Sequence, residues 1–133
     1  PLKLVDFGVS GVVPAVEPGT RFLTRSVGTD GYVAPEVMQC RPYGPAADMF
    51  ALGAVMHAAI VGLPPRWECQ RYNFPGKMRW RMLSPEAQAL LQRLLAPDPS
   101  DRPSAVEALR DPWFQAGDAP PGAAASGAGS FLD

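Results

Sequence analysis

Histidine is almost missing from this chain: its 133 residues hold one, His57. A lone imidazole with no nucleophile or metal-ligand pattern around it reads as a structural residue. Cysteine is almost missing too. The two present, Cys40 and Cys69, form neither a zinc pattern nor a redox pair. They read as unpaired thiols, which implies a cytoplasmic or other reducing location. Net charge is close to nil, −1 from 12 basic and 13 acidic residues. No basic excess points to nucleic acid or to an anionic membrane. Long apolar runs are absent as well. The longest, Met49 to Leu63, is interrupted by His57 and is 15 residues long, whereas a bilayer span needs about 20. A buried helix is the expectation. There is no initiating methionine, and the first residues look like the inside of a strand, so the chain reads as a piece of something longer.

What is present is enough to build a domain. Apolar residues make up 47% of the chain, which excludes global disorder. Leu2 to Val5 is expected to be a short strand, and Val9 to Thr24, broken by Gly11, Pro14, Pro18 and Gly19, a loop. A helix is expected to open at Ala34-Pro35-Glu36 and to end by Pro42. The next is placed from Tyr43 to Val61, with Leu52, Val55, Met56, Ala59 and Ile60 as its stripe. Phe50 and Ala51 fill its other sides, so burial nearly all round is expected. Gly62-Leu63-Pro64-Pro65 closes it. The six residues from Arg66 to Arg71 are too few for a normal helix, and Tyr72-Asn73-Phe74-Pro75 follows.

Two later helix starts are written in local chemistry. Ser84-Pro85-Glu86 supplies an N-cap, a proline at the first helical position and an acid near the positive end. Its apolar face is Ala87, Leu90, Leu91, Leu94 and Leu95. Ser104 and Glu107 form a capping box for a short helix that Asp111-Pro112 stops. From Gly117 to Ser130 the chain is nearly all Gly, Ala, Pro and Ser, the composition of a flexible linker.

Five motifs remain, in this order: Asp6-Phe7-Gly8 after an apolar stretch; Gly28-Thr29-x-x-Tyr32-x-Ala34-Pro35-Glu36; Asp48-x-Phe50-Ala51-x-Gly53; Asp98-Pro99-x-x-Arg102-Pro103; and Pro112-Trp113-Phe114. Together they resemble the eukaryotic protein kinases of serine/threonine type, most closely the calcium/calmodulin-dependent group, over residues 2 to 114. The resemblance implies a mainly α fold: a kinase C-terminal lobe over residues 1–115, from Asp-Phe-Gly onward, and a flexible tail over residues 116–133. It implies transfer of the ATP γ-phosphate to Ser or Thr of a protein substrate, with Mg²⁺. A carboxylate at a strand end is a hard oxygen ligand of the kind such an ion takes. Asp6 is then the metal ligand, and Asp6, Phe7 and Gly8 border the cofactor.

By the same resemblance Gly28, Thr29 and Tyr32 face the substrate. Arg25 occupies the usual phosphate position, so Thr24 and Ser26 are the candidates for modification by an upstream activating kinase. Asp30 stands where many relatives have proline. Glu36 and Arg102 are expected to form a buried pair. Asp48 is expected to accept from the backbone of a catalytic loop that these residues do not contain. The Gly-rich phosphate loop, the nucleotide-binding lysine and the His-Arg-Asp general base are missing as well. Two readings stay open: part of an active kinase, or a pseudokinase or scaffold that keeps the fold without catalysis. Either way, the chain alone is expected to be inactive. Neither nucleic acid nor membrane is implied as a partner.

Overall fold

The computed structural model describes residues 3–11, 28–68 and 71–116. Within them the chain is mainly helical: α1 (Pro35–Met38), α2 (Ala46–Val61), β1 (Arg66–Glu68), β2 (Arg71–Asn73), α3 (Lys77–Arg81), α4 (Pro85–Leu94), a 3₁₀ turn at Pro99–Asp101, α5 (Ala105–Leu109) and α6 (Pro112–Ala116). The two strands pair antiparallel, with Trp67 opposite Tyr72. No helix among the described residues is long and apolar enough to cross a membrane.

The centre is the packing of α2 on α4. Helix α4 starts as its sequence directs: Ser84 Oγ accepts from the Ala87 amide at 3.2 Å. That cap is worth ~1 kcal/mol. The helix then buries Leu90, Leu91 and Leu94 completely, each worth ~1.5–3 kcal/mol. Its docked face, not its cap, therefore carries most of its stability. Gly53 makes the contact possible. A Cβ there would lie 2.8 Å from the Leu94 Cβ, so the two backbones approach as closely as they do only because position 53 has no side chain. One cluster joins Phe50, Ala54, Leu91 and Leu95 to Val33, Ala34 and Val37. A second joins Met49, Leu90, Leu94 and Ala108, with Trp113 against it.

Several expectations need correction. Residues 3–7 form no strand, and Leu4 and Val5 are 85% and 77% exposed. A strand needs a neighbour to pair with, and none stands beside it among the described residues. Helix α2 begins at Ala46 rather than Tyr43, behind Pro45; a residue preceding proline is kept out of helical conformation. Its burial is one-sided. Phe50, Gly53, Ala54, His57 and Val61 face inward, while Leu52 and Val55 from the expected stripe are exposed. A helix apolar on every side carries no periodic signal that selects one face. The segment around residues 66–73 is a hairpin, and α3 and α6 are elements the sequence did not announce. Helix α3 has only five residues and follows Gly76, which has no side chain to cap it. Helix α6 starts at the Asp111-Pro112 pair that ends α5, because Asp111 accepts from the Trp113 amide at 3.0 Å.

Candidate functional site

The Asp-Phe-Gly stretch and the Ala-Pro-Glu stretch are built differently. At the first, Asp6 adopts a left-handed backbone with φ of 61°. Its Oδ1 accepts from the Gly8 amide at 3.2 Å. The Phe7 carbonyl accepts from both the amide and the hydroxyl of Ser10, at 3.0 and 2.7 Å. The result is a small turn held by its own atoms, with Asp6 exposed and Phe7 68% exposed. Only one Asp6 oxygen is engaged by a described residue. No group of three or more His, Cys, Asp or Glu side chains that could hold a metal occurs among the described residues. Asp6 therefore suits one leg of a Mg²⁺ shell. Magnesium commonly takes one or two carboxylates and completes its six oxygens from phosphate and water.

Thr24 and Ser26 lie outside the described residues. Gly28, Thr29 and Asp30 are exposed. The Thr29 carbonyl accepts from the Tyr32 amide at 3.1 Å, and Asp30 Oδ1 accepts from the Gly31 amide at 2.9 Å. This turn needs glycine at position 31. Its φ is 87°, and a Cβ there would sit 2.6 Å from the Pro65 carbonyl oxygen. Tyr32 is half-buried against the core. The stretch thus presents the Thr29 hydroxyl to solvent on a backbone seated against the loop that follows α2.

The anchor is Arg102. Its Nη1 donates to Glu36 Oε1 at 2.7 Å and its Nη2 to Glu36 Oε2 at 2.8 Å, a two-pronged pair. Its remaining donors reach three backbone carbonyls: Ala46 at 2.9 Å, Ala96 at 2.8 Å and Pro97 at 3.2 Å. All five guanidinium N–H groups are thereby used. One side chain ties the four-residue α1 to the first turn of α2 and to the exit of α4. Both partners are buried, at 4% exposure for Glu36 and 7% for Arg102. The guanidinium carbon also lies 5.0 Å from the centre of the Phe50 ring, a cation over an aromatic face. Phe50 in turn packs on Tyr72, with ring centres 4.9 Å apart. The Tyr72 hydroxyl donates to the Val33 carbonyl, directly before Ala34. Burial, reinforced by the negative charges of Asp30 and Glu36, pushes the Tyr72 hydroxyl up to about 12.

The structure therefore brings Glu36 and Arg102 together and packs the half-buried Tyr32 against the core cluster around Val33 and Phe50. It leaves Asp6, Phe7, Gly28 and Thr29 at the surface. Asp48 is exposed on the first turn of α2, where its amide donates to the Pro45 carbonyl at 3.1 Å. Tyr72 and Phe50 are the residues that sequence reasoning undervalued. In the sequence Phe50 reads both as filler on α2 and as the aromatic of the Asp-x-Phe-Ala-x-Gly motif, but nothing there shows its contacts with Arg102 and Tyr72. Tyr72 offered only the Tyr-x-Phe-Pro pattern.

The comparisons agree with this construction. The protein kinase domain family matches residues 1–114. Calcium-dependent protein kinase 22 of Oryza sativa subsp. japonica is 38% identical over 132 positions, covering 91% of this chain and 22% of that protein. The calcium/calmodulin-dependent protein kinase type II subunit delta of Oryctolagus cuniculus is 34% identical over 124 positions, covering 85% of this chain and 22% of that protein. The chain thus spans about a fifth of the length of the curated relatives it matches. With the family matched over nearly all described residues, and the five motifs in the family's order, this chain belongs to the protein kinase family and is similar to its calcium-dependent and calcium/calmodulin-dependent members.

Proposed function

We propose that this chain is the C-terminal lobe, over residues 1–115, of a serine/threonine kinase that transfers the γ-phosphate of ATP to a protein hydroxyl. The observation that carries the reading is the Arg102–Glu36 clamp, which fixes the Ala-Pro-Glu end of a segment whose other end carries Asp6. Phosphoryl transfer depends chiefly on positioning and charge neutralisation. Residues 28–36 are the positioned part. Tyr72 holds their backbone at the Val33 carbonyl and Arg102 holds the Glu36 carboxylate, while the exposed Thr29 is left to face a protein substrate. Asp6 supplies an exposed carboxylate to the Mg²⁺ that spreads the phosphate charge when ATP is bound. Gly8 holds that carboxylate through its amide. Thr24 and Ser26 are the hydroxyls proposed for an upstream activating kinase. Residues 116–133 are proposed as a linker, and the exposed free thiol of Cys40 supports a cytoplasmic or other reducing location.

The general base and the nucleotide-binding lysine of the reaction are not among these residues, so the chain alone should transfer no phosphate. The test uses the intact protein that carries it. With ATP, Mg²⁺ and a serine peptide library, transfer is expected, and Asp6→Asn should lower it by about a hundredfold or more, the equivalent of several kcal/mol of lost charge stabilisation. No transfer by the intact parent protein would establish the scaffold reading instead.

A further inference from the structure

Helix α3 is short but held from three sides. Its sequence is Lys-Met-Arg-Trp-Arg, with no acid in its first turn and Arg79 and Arg81 in its last. It starts against the end of α2: a Cβ on Gly76 would lie 2.1 Å from Val61 Cγ1, so only glycine fits there. Arg79 Nη1 then donates to the Val61 carbonyl at 2.8 Å. Trp80 and Leu83 pack against the core cluster. At the far end the Gln88 side-chain amide donates to the Trp80 and Leu83 carbonyls, at 3.2 and 3.0 Å. Contacts with α2, the core and α4 therefore fix which way this helix faces.

Residues three and four apart share a helix face, so Met78, Arg81 and Met82 lie together, on the side away from Trp80 and Leu83. Met78 and Met82 are each 82% exposed, whereas Met49 on α2 is 8% exposed. Arg81 is exposed between them. One exposed methionine is ordinary, since much of any protein surface is apolar. Two of them beside a guanidinium, on a helix whose orientation is fixed, make a patch. Neither Arg79 nor Arg81 is paired with a carboxylate among the described residues. The charge around them is one-sided. Between Glu68 and Glu86 the chain carries Arg71, Lys77, Arg79 and Arg81 and no acid, within a chain of net charge −1. A cation near a helix C-terminus gains a little from the backbone dipole. That accounts for Arg81 as a charge but not for the two methionines beside it.

We propose that this face docks an acidic protein segment that carries two apolar side chains one helical turn apart, its carboxylates meeting Arg81 and its apolar pair meeting Met78 and Met82. The sign of the partner follows from the charge: cations with no carboxylate of their own favour one brought from outside. A guanidinium matches a carboxylate by its two-pronged geometry. Methionine is unbranched and adapts its shape to whatever apolar group lies on it. A lipid surface suits the face less well. Helices that lie on membranes turn Trp, Phe or Leu toward the lipid, and in this segment Trp80 and Leu83 turn toward the core. The face uses none of the kinase motif residues, and docking needs no ATP, so it stands or falls apart from the kinase reading.

The probe is the peptide Ala-Glu-Glu-Leu-Ala-Glu-Glu-Leu-Glu-Ala, fluorescently labelled and titrated by anisotropy into the intact protein that carries this chain. The controls are the same peptide with lysine for every glutamate, the same peptide with serine for both leucines, and vesicles of phosphatidylserine and phosphatidylcholine. The acidic peptide is expected to bind about tenfold more tightly than either control peptide, and to weaken as salt is raised. Arg81→Glu should cost about tenfold and turn the preference toward the lysine peptide, which the loss of a merely structural arginine would not do. Met78→Ser with Met82→Ser should bring the leucine and serine peptides within about twofold of each other. All three positions are exposed, so melting should not change, and the double methionine variant keeps the test usable if Arg81→Glu does not fold. Failure of the acidic peptide to bind overturns the proposal. So does equal binding of the acidic and lysine peptides, or a discrimination that neither variant alters. Vesicle binding that Arg81→Glu removes, without peptide binding, would assign the face to a membrane and overturn it as well.

Discussion

The two ends of the stretch from Asp6 to Glu36 are held by different means. Glu36 is buried in a two-pronged pair with an arginine that also grips three carbonyls and lies over Phe50. Asp6 is exposed, in a left-handed turn whose hydrogen bonds, among the described residues, reach no further than Ser10. One end is fixed by partners distant in sequence, the other by its neighbours alone. The difference separates a residue placed to hold the fold from one placed to meet something outside it. The metal-ligand role proposed for Asp6 fits the second case, because a carboxylate held by both oxygens in an arginine pair has none left for a cation.

Cutting the clamp should have the largest effect. Arg102→Ala leaves the Glu36 carboxylate buried and alone, a loss of about 3–5 kcal/mol. Urea melting of the chain should show it, and Arg102→Lys should recover little, because an ammonium cannot make the planar fork. A variant that melts like the parent would erase the distinction between the two ends. Gly53→Ala comes next. The added methyl meets the Leu94 Cβ at 2.8 Å, so the two helices that support the clamp must part, at a cost of about 1–3 kcal/mol. Acid should then weaken the clamped half through His57. Its pKa is depressed in the fold by burial, so the unfolded chain takes the proton first. Stability should be level above the ordinary value of about 6.5 and decline as pH falls from there toward the folded pKa. His57→Phe should remove that slope in melts taken across this range. The smallest effect belongs to the loose end. Asp6→Asn keeps an oxygen for Gly8 and tolerates the left-handed backbone, so stability should move by no more than about 0.5 kcal/mol. A larger loss would mean that Asp6 holds the fold after all.

Some of this was legible beforehand and some was not, for physical reasons. Glu36 and Arg102 could be paired from sequence because each sits in a motif that presupposes the other. The caps at Ser84 and Ser104 could be read because they are local: Ser104 Oγ accepts from the Glu107 amide, and Glu107 reaches back to the Ser104 amide at 2.8 Å. The inward face of α2 could not be read. Leu52 and Val55 are as apolar as Phe50 and Ala54, and only the close approach of Leu94 to Gly53 decides which side turns in. Residues 3–5 form no strand for the opposite reason, since their pattern is adequate and no pairing neighbour stands among the described residues. Tyr72 was beyond reach because its importance lies in a bond to a carbonyl 39 positions earlier, which no spacing rule encodes.

The bond from Tyr72 to Val33 also sets an alkaline boundary. A phenol must keep its proton to donate, and this one keeps it to about 12, whereas a free tyrosine in the unfolded chain gives it up near 10. Below that lower value the bond's contribution is complete. As pH rises through the interval the unfolded chain ionises first, and the contribution drains away. A phenolate at position 72 would point its charge at the carbonyl it once supported, with Asp30 and Glu36 close by. Base should therefore release the platform before Ala34 while leaving the guanidinium of Arg102 charged. Ultraviolet titration should resolve Tyr72 as a phenol ionising late, and the loosening of residues 28–36 should track that absorbance.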